Sequence, residues 1–178
     1  MRATSLLAGL LMSAALSASA CGLLLFDRAD SPIESGTLSS DAREALTDLW
    51  PNWQEATLDP QVRNCAAGQT DLPLRLEFDA DGDGALDLAL AVQTGDGTRL
   101  AVILNRALET VVHDVDSLGG PAANGFLGIV PRGTRYLHPR TKLDDYFSNP
   151  TLTVTRCGEP VSAYRWTGVG FENVVRGG

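Results

Sequence analysis

The sequence predicts an α+β domain in which a mainly antiparallel β-sheet is covered by one N-terminal helix. Three observations support this fold class. Apolar residues recur with helical spacing in residues 40–50, they alternate with a period of two in several segments after residue 73, and glycine-rich turns separate those segments. The chain shows no internal repeat, which argues against a complete β-propeller.

The predicted helix spans residues 40–50. Ser40 or Asp41 can cap its N-terminus, and Asp41 and Glu44 have the spacing of a capping box. Pro51 then ends the helix because proline cannot continue it. One apolar stripe follows the helical period and consists of Ala42, Ala45, Leu46, Leu49 and Trp50.

Seven segments have the pattern of β-strands. They are residues 74–78, 86–92, 100–104, 109–115, 152–155, 162–166 and 171–175. The second and third are almost continuously apolar, which predicts central strands covered on both faces. Residues 116–134 are rich in glycine and proline, and we expect a long mobile loop there.

The N-terminus predicts export. Residues 1–20 have a basic start, an apolar middle and a small-residue end, which is the pattern of a signal peptide. Residues 21–39 are then expected to form a tether, and residues 40–178 a single globular domain. The segment 18–21 resembles the lipobox of bacterial lipoproteins, although Ala18 stands where that family prefers leucine. The resemblance implies that Cys21 carries a lipid that anchors the protein in the membrane of the cell envelope.

Two other outcomes for the N-terminus remain open. Cleavage after Ala20 by an ordinary signal peptidase would release a free periplasmic or secreted protein. Residues 22–26 also extend the apolar run far enough for an uncleaved membrane anchor.

The cysteine count agrees with export. The chain has three cysteines, so that lipidation of Cys21 leaves Cys65 and Cys157 as a pair. In an oxidising compartment such a pair is expected to form a disulfide. The alternative is two buried free thiols.

The total charge limits the choice of partners. The chain has 22 acidic and 14 basic residues, with a formal charge of −8. An acidic surface of this kind disfavours nucleic acid and anionic lipid headgroups as partners.

Residues 79–87 form the one segment with clear binding chemistry. Aspartates occupy its positions 1, 3, 5 and 9, and Gly84 stands at position 6, where the chain must turn sharply. Calcium prefers six to eight hard oxygen ligands, which such a loop can supply. The expected ligands are the carboxylates of Asp79, Asp81, Asp83 and Asp87 and the backbone carbonyl of Ala85.

This loop is not an EF-hand. Position 12 is Leu90 instead of glutamate, and the flanking residues alternate like strands. The pattern Asp-x-Asp-x-Asp-Gly-x-x-Asp resembles the calcium loops of FG-GAP and VCBS repeat proteins, which implies Ca²⁺ as the cofactor. The layout is also similar to small exported bacterial proteins with a C-terminal hairpin, matched here by Tyr164, Trp166 and Gly168; that resemblance implies no known activity.

The sequence contains no convincing catalytic group. His113 and His138 lack a nucleophile motif or a second metal ligand at the required spacing. The favoured hypothesis is therefore a non-enzymatic domain of the cell envelope, with a structural calcium site, that binds a protein or glycan. The alternatives are a small periplasmic hydrolase, with residues 116–134 as a lid over a histidine, and an enzyme inhibitor that uses the same loop.

Overall fold

A computed structural model describes residues 37–138 and 140–175. The predicted signal peptide at residues 1–20, the lipidation site Cys21 and the tether before residue 37 lie outside these described residues. Within them, no helix is both long enough and apolar enough to span a membrane.

The described residues contain two short helices and eleven strands. In chain order they are α1 (Ser40–Leu49), β1 (Gln54–Glu55), α2 (Pro60–Cys65), β2 (Arg75–Phe78), β3 (Asp87–Thr94), β4 (Gly97–Arg106), β5 (Glu109–Gly119), β6 (Gly125–Val130), β7 (Arg135–Leu137), β8 (Asp144–Tyr146), β9 (Thr151–Arg156), β10 (Ser162–Trp166) and β11 (Phe171–Val175).

The strands form two open antiparallel sheets and a separate hairpin. The first sheet has the order β1-β3-β4-β5, and β2 shares with β1 the same edge of β3. The second sheet has the order β11-β10-β9-β6, and β7 pairs with β8 alone. The predicted fold class is thus confirmed at the coarse level, as mainly antiparallel β-structure with a few helical residues.

The two sheets share one hydrophobic core. Ala89 and Ala91 of β3 belong to the same buried cluster as Leu152 of β9 and Tyr164 of β10. The alternate residues of β3 point the other way, and Leu88 and its neighbours form a second cluster. The members of this second cluster are Leu38, Ala42, Leu46, Leu88, Leu90, Val92, Ala101 and Ile103, so that it includes side chains of α1. Burial of both faces explains why β3 and β4 are apolar almost throughout.

The helix cap differs by one residue from the prediction. Ser39 is the N-cap, since its side-chain oxygen accepts a hydrogen bond of 3.1 Å from the amide of Ala42. The hydroxyl of Ser40 instead donates to the Asp41 carboxylate. The helix ends at Leu49, one residue before the predicted end at residue 50, and Trp50 is its C-cap.

The prediction of a long loop at residues 116–134 is wrong. Strand β5 continues to Gly119 through two irregularities in its register with β4, and β6 begins at Gly125. Glycine is needed in β6 because a Cβ at Gly125 would lie 2.7 Å from the backbone oxygen of Thr155. Gly125 therefore permits close strand packing, whereas the sequence pattern suggested flexibility.

Candidate metal centre

The acidic segment is the connection between β2 and β3. Phe78 pairs with Asp87 across the end of the hairpin, so the intervening residues form a closed loop. Gly82 and Gly84 have φ angles of 84° and 88°, a region that favours glycine. These two residues let the chain turn sharply enough to bring several aspartates to the same side.

Backbone amides orient the aspartates at the start of the loop. The two carboxylate oxygens of Asp79 accept hydrogen bonds from the amides of Gly82, at 2.7 Å, and of Gly84, at 3.1 Å. The Asp81 carboxylate accepts a longer bond of 3.3 Å from the amide of Asp83. Such bonds between a side chain and its own turn hold each carboxylate in one direction.

Asp87 is the buried member of the loop. Its side chain accepts hydrogen bonds from the amides of Ala80, at 2.8 Å, and of Asn105, at 2.9 Å, although the residue is only 1% exposed. Burial raises the pKa of Asp87 to about 6, while the bonds from Asn105 and Ala80 oppose the rise and the charge of Asp81 adds to it. At neutral pH this carboxylate is charged for most of the time.

Three of the predicted ligands lie together. Asp79, Asp81 and Asp87 each offer one carboxylate oxygen, and these three atoms lie within 4.8 Å of one another. At that distance each pair of charges repels by roughly 1–3 kcal/mol at effective dielectric constants between 80 and 20. Because all three donors are oxygens, the group has the chemistry that suits a hard divalent cation.

Asp83 is not part of this group of carboxylates. Asp83 is exposed, and its carboxylate accepts a hydrogen bond of 2.7 Å from the amide of Ala85. The participation of Asp83 and of the Ala85 carbonyl in metal binding stays a prediction.

Arg106 at the end of β4 is a neighbour of the loop that the sequence analysis missed. Its Nε lies 3.2 Å from a carboxylate oxygen of Asp81, whose side chain is only 7% exposed. The guanidinium carbon of Arg106 also lies 5.4 Å from the ring centre of Trp166 in the second sheet. No local sequence pattern predicts this contact, because 25 residues separate Arg106 from Asp81.

Neither histidine has a hydrogen bond to a carboxylate within the part of the chain that the structure describes. His113 lies in β5 with its ring edge-on to Trp166 and Phe171, and burial, followed by the charge of Arg106, lowers its pKa. The adjacent Asp114 is bound by Arg99 through contacts of 3.1 and 2.6 Å. His138 accepts hydrogen bonds at Nδ1 from the amides of the turn that follows it.

The structure brings the two predicted disulfide partners together. The sulfur atoms of Cys65 and Cys157 lie at bonding distance, and their Cα atoms are 6.0 Å apart. The bond joins the end of α2 to the turn after β9 in the second sheet.

Comparison with known proteins found no matching family model, no similar curated protein and no similar solved structure. The likeness to FG-GAP and VCBS calcium loops therefore rests on the motif at residues 79–87 alone.

Proposed function

We propose that this chain is an exported, non-enzymatic binding domain of the cell envelope and that a calcium ion stabilises its β2–β3 loop. The observation that carries the proposal is the convergence of the Asp79, Asp81 and Asp87 oxygens within 4.8 Å. A divalent cation would replace the mutual repulsion of these carboxylates by attraction to a shared charge.

Calcium fits this donor set better than the transition metals or magnesium. Carboxylate oxygens are hard ligands, whereas zinc and copper sites use cysteine or histidine. Magnesium demands a small octahedral site, while calcium accepts the irregular geometry of a loop and further oxygens from a carbonyl and water. We propose Asp83 and the Ala85 carbonyl as the additional protein ligands.

The position of the loop suggests a structural role for the ion. The loop closes the β2–β3 hairpin, and Asp87 also holds the backbone of Asn105 at the end of β4. An ion bound there would link three strands of the first sheet. We therefore expect calcium to raise stability without supplying catalysis.

Thermal unfolding with calcium tests this proposal. Extracellular calcium modules often have dissociation constants of about 10⁻⁴–10⁻³ M, so about 5 mM calcium should stabilise the fold by roughly 1–2 kcal/mol. That gain corresponds to a rise in Tm of a few degrees.

The variant Asp79→Asn should lose this calcium-dependent rise, because it removes one carboxylate of the group. The matched control is Asp96→Asn, which removes an exposed carboxylate from the β3–β4 turn. Equal shifts in both variants, or no shift in the wild-type protein, would show that the loop holds no calcium.

We further propose that the chain is anchored in the membrane, either through a lipid on Cys21 or through an uncleaved apolar segment. The support is the apolar stretch that ends in small residues before Cys21. The partner of the domain is then expected to be another protein or a glycan of the envelope. Mass determination of the protein from a membrane fraction would distinguish the lipid from the uncleaved segment.

Nothing observed favours the hydrolase and inhibitor hypotheses. Both used residues 116–134 as a mobile loop, and strands β5 and β6 occupy most of that segment.

A further inference from the structure

The charge of the chain is unevenly distributed. Residues 37–130 contain fifteen acidic and five basic side chains, whereas residues 131–143 contain four basic side chains and none that is acidic. This basic segment includes β7 and the turn before β8. Asp144 and Asp145 of β8 follow this segment, so residues 131–146 carry four basic and two acidic side chains and a net charge of +2, opposite in sign to the total of −8.

The hairpin is fixed to the domain by its inner face. Tyr136 stacks on Phe147 at 4.4 Å between ring centres, and both belong to a buried cluster with Ala163 and Val174 of the second sheet. The hydroxyl of Tyr136 also donates a hydrogen bond of 2.7 Å to Asp145. The inner face therefore fixes which side chains of the hairpin point away from the domain.

The outer face combines apolar side chains with basic ones and with Asp144, which pairs with Arg135. Arg135 pairs across the strands with Tyr146, and Leu137 pairs with Asp144. Leu137, Tyr146 and the nearby Leu143 are 55%, 61% and 68% exposed. Three of the large exposed apolar side chains of the described residues thus lie on this one hairpin.

Two cations of the basic segment 131–143 have no acidic partner among the described residues. The side chains of Arg132 and Lys142 are exposed and form no ion pair there, whereas Arg135 pairs with Asp144 and Arg140 with Glu172. Free cations next to exposed leucine and tyrosine are the combination that contacts an anionic bilayer, because the apolar groups enter the headgroup region while the cations bind phosphate.

We propose that the outer face of the β7–β8 hairpin docks onto the anionic phospholipid surface of the membrane that anchors the chain, and this contact rests on the anchoring proposed above. Residues 27–36, which join the apolar segment to the domain, can reach roughly 35 Å when extended. A tether of that length keeps the domain near the bilayer, where even a weak contact is populated. A glycan would leave the leucines without an apolar environment.

Hydrogen–deuterium exchange on the full chain tests the contact. The chain is mixed with vesicles of phosphatidylcholine alone, or of phosphatidylcholine with about one third phosphatidylglycerol, in the range used for anionic surfaces. Amides of the β7–β8 hairpin should exchange at least about twofold more slowly with the anionic vesicles, and added salt should reduce this protection because it screens the charges.

Matched variants identify the side chains responsible. The double variants Leu137→Ser with Leu143→Ser, and Arg132→Gln with Lys142→Gln, should each lose the protection. The control is Leu108→Ser with Arg63→Gln, which changes an exposed leucine and an exposed arginine outside the hairpin. Loss of protection in the control as well would contradict the proposed surface.

Flotation of the same samples separates this contact from the anchor. If the chain floats with both vesicle types and the hairpin amides exchange at the same rate with each, the docking is overturned and the anchoring stays intact. Flotation with anionic vesicles alone, abolished by the hairpin variants, would support the docking and contradict the anchor. Flotation with neither vesicle type would overturn both proposals. Protection of the hairpin amides that appears only with an added acidic polymer such as polyglutamate would overturn the docking on lipid.

Discussion

The guanidinium of Arg106 is positioned to compete with a metal ion for the carboxylate of Asp81 in the acidic loop. Its Nε contacts Asp81 at 3.2 Å, and the Asp81 side chain is almost fully buried. A bound calcium ion would share this carboxylate with the guanidinium, so that arginine and metal repel each other. The native affinity for calcium is therefore expected to be lower than the three aspartates alone would give.

The variant Arg106→Gln tests this competition. We expect calcium to bind about 3–10-fold more tightly, which corresponds to removal of one positive charge close to the site. Isothermal titration calorimetry measures the change. The control is Arg99→Gln, which removes a β4 arginine that pairs with Asp114 instead of the loop. Unchanged or weaker binding in Arg106→Gln would contradict the competition.

Asp116 joins the two sheets through a single carboxylate. It accepts hydrogen bonds from the Tyr164 hydroxyl and, at 2.7 Å, from Arg156, whose side chain is only 12% exposed. Burial alone would raise the pKa of Asp116, but the bonds from Tyr164 and Arg156 hold it below its ordinary value of 3.8. The charged form is thus favoured in the folded state.

This pKa shift predicts a pH dependence of stability. A lowered pKa in the folded state contributes stability above the unfolded value, and that contribution is lost as the pH falls through the folded value. At neutral pH the variant Asp116→Asn should lose about 2–3 kcal/mol, because it leaves the Arg156 charge without its partner. In chemical denaturation the difference from wild type should shrink below about pH 4. A difference that stays constant down to pH 3 would contradict this account.

At the scale of elements, hydrophobic periodicity predicted the strands that have buried faces. The alternation around Leu76 and the apolar runs of β3 and β4 led to the correct segments. The hairpin β7–β8 has only Tyr136 and a neighbouring phenylalanine as buried anchors, and so it lacks a recognisable period. Helix α2 was missed even though Asp59 caps it and Pro60 occupies its first position, which is a start signal. The helix is too short for an apolar stripe to confirm that signal.

The close packing of strand β6 against β9 requires glycine at position 125, and the variant Gly125→Ala tests this requirement. The added Cβ would meet the backbone oxygen of Thr155 at 2.7 Å, so β6 and β9 would have to separate. We expect a loss of about 1–3 kcal/mol in denaturant unfolding. Gly120→Ala is the control, because its Cβ would meet nothing within 4 Å, and its effect should stay within about 0.5 kcal/mol. Similar losses in both variants would contradict the packing argument.

At the scale of the whole molecule, the disulfide closes a long loop. Cys65 and Cys157 are separated by 92 residues, and the intervening chain contains most of the first sheet and part of the second. Cross-linking a loop of this length restricts the unfolded chain more than the folded one.

The double variant Cys65→Ala with Cys157→Ala should therefore be less stable by about 2–5 kcal/mol, as measured by thermal or denaturant unfolding. A reductant should destabilise the wild-type protein and leave the double variant unchanged. Equal sensitivity of both proteins to the reductant would show that the two thiols are not bonded.

The association of two sheets could not be predicted from the sequence. Local patterns identify strands, but Ala89 and Ala91 share their core with Leu152 and Tyr164, which lie more than 60 positions later in the chain. The same limit applies to the candidate site. The spacing of the aspartates predicted the loop, whereas Arg106 and the burial of Asp87 follow from the way β4 packs beside it.

The contact of Arg106 with Trp166 gives the protein an internal optical probe. The guanidinium lies over the indole ring while it also binds Asp81, so entry of a cation into the loop would move a charge next to a chromophore. Indole emission depends on nearby charge, and occupancy of the loop would then be readable as a change in intrinsic fluorescence. Trp50 and Trp53 beside α1 would contribute a constant background fluorescence. The variant Trp166→Phe would lose the calcium-dependent change in emission.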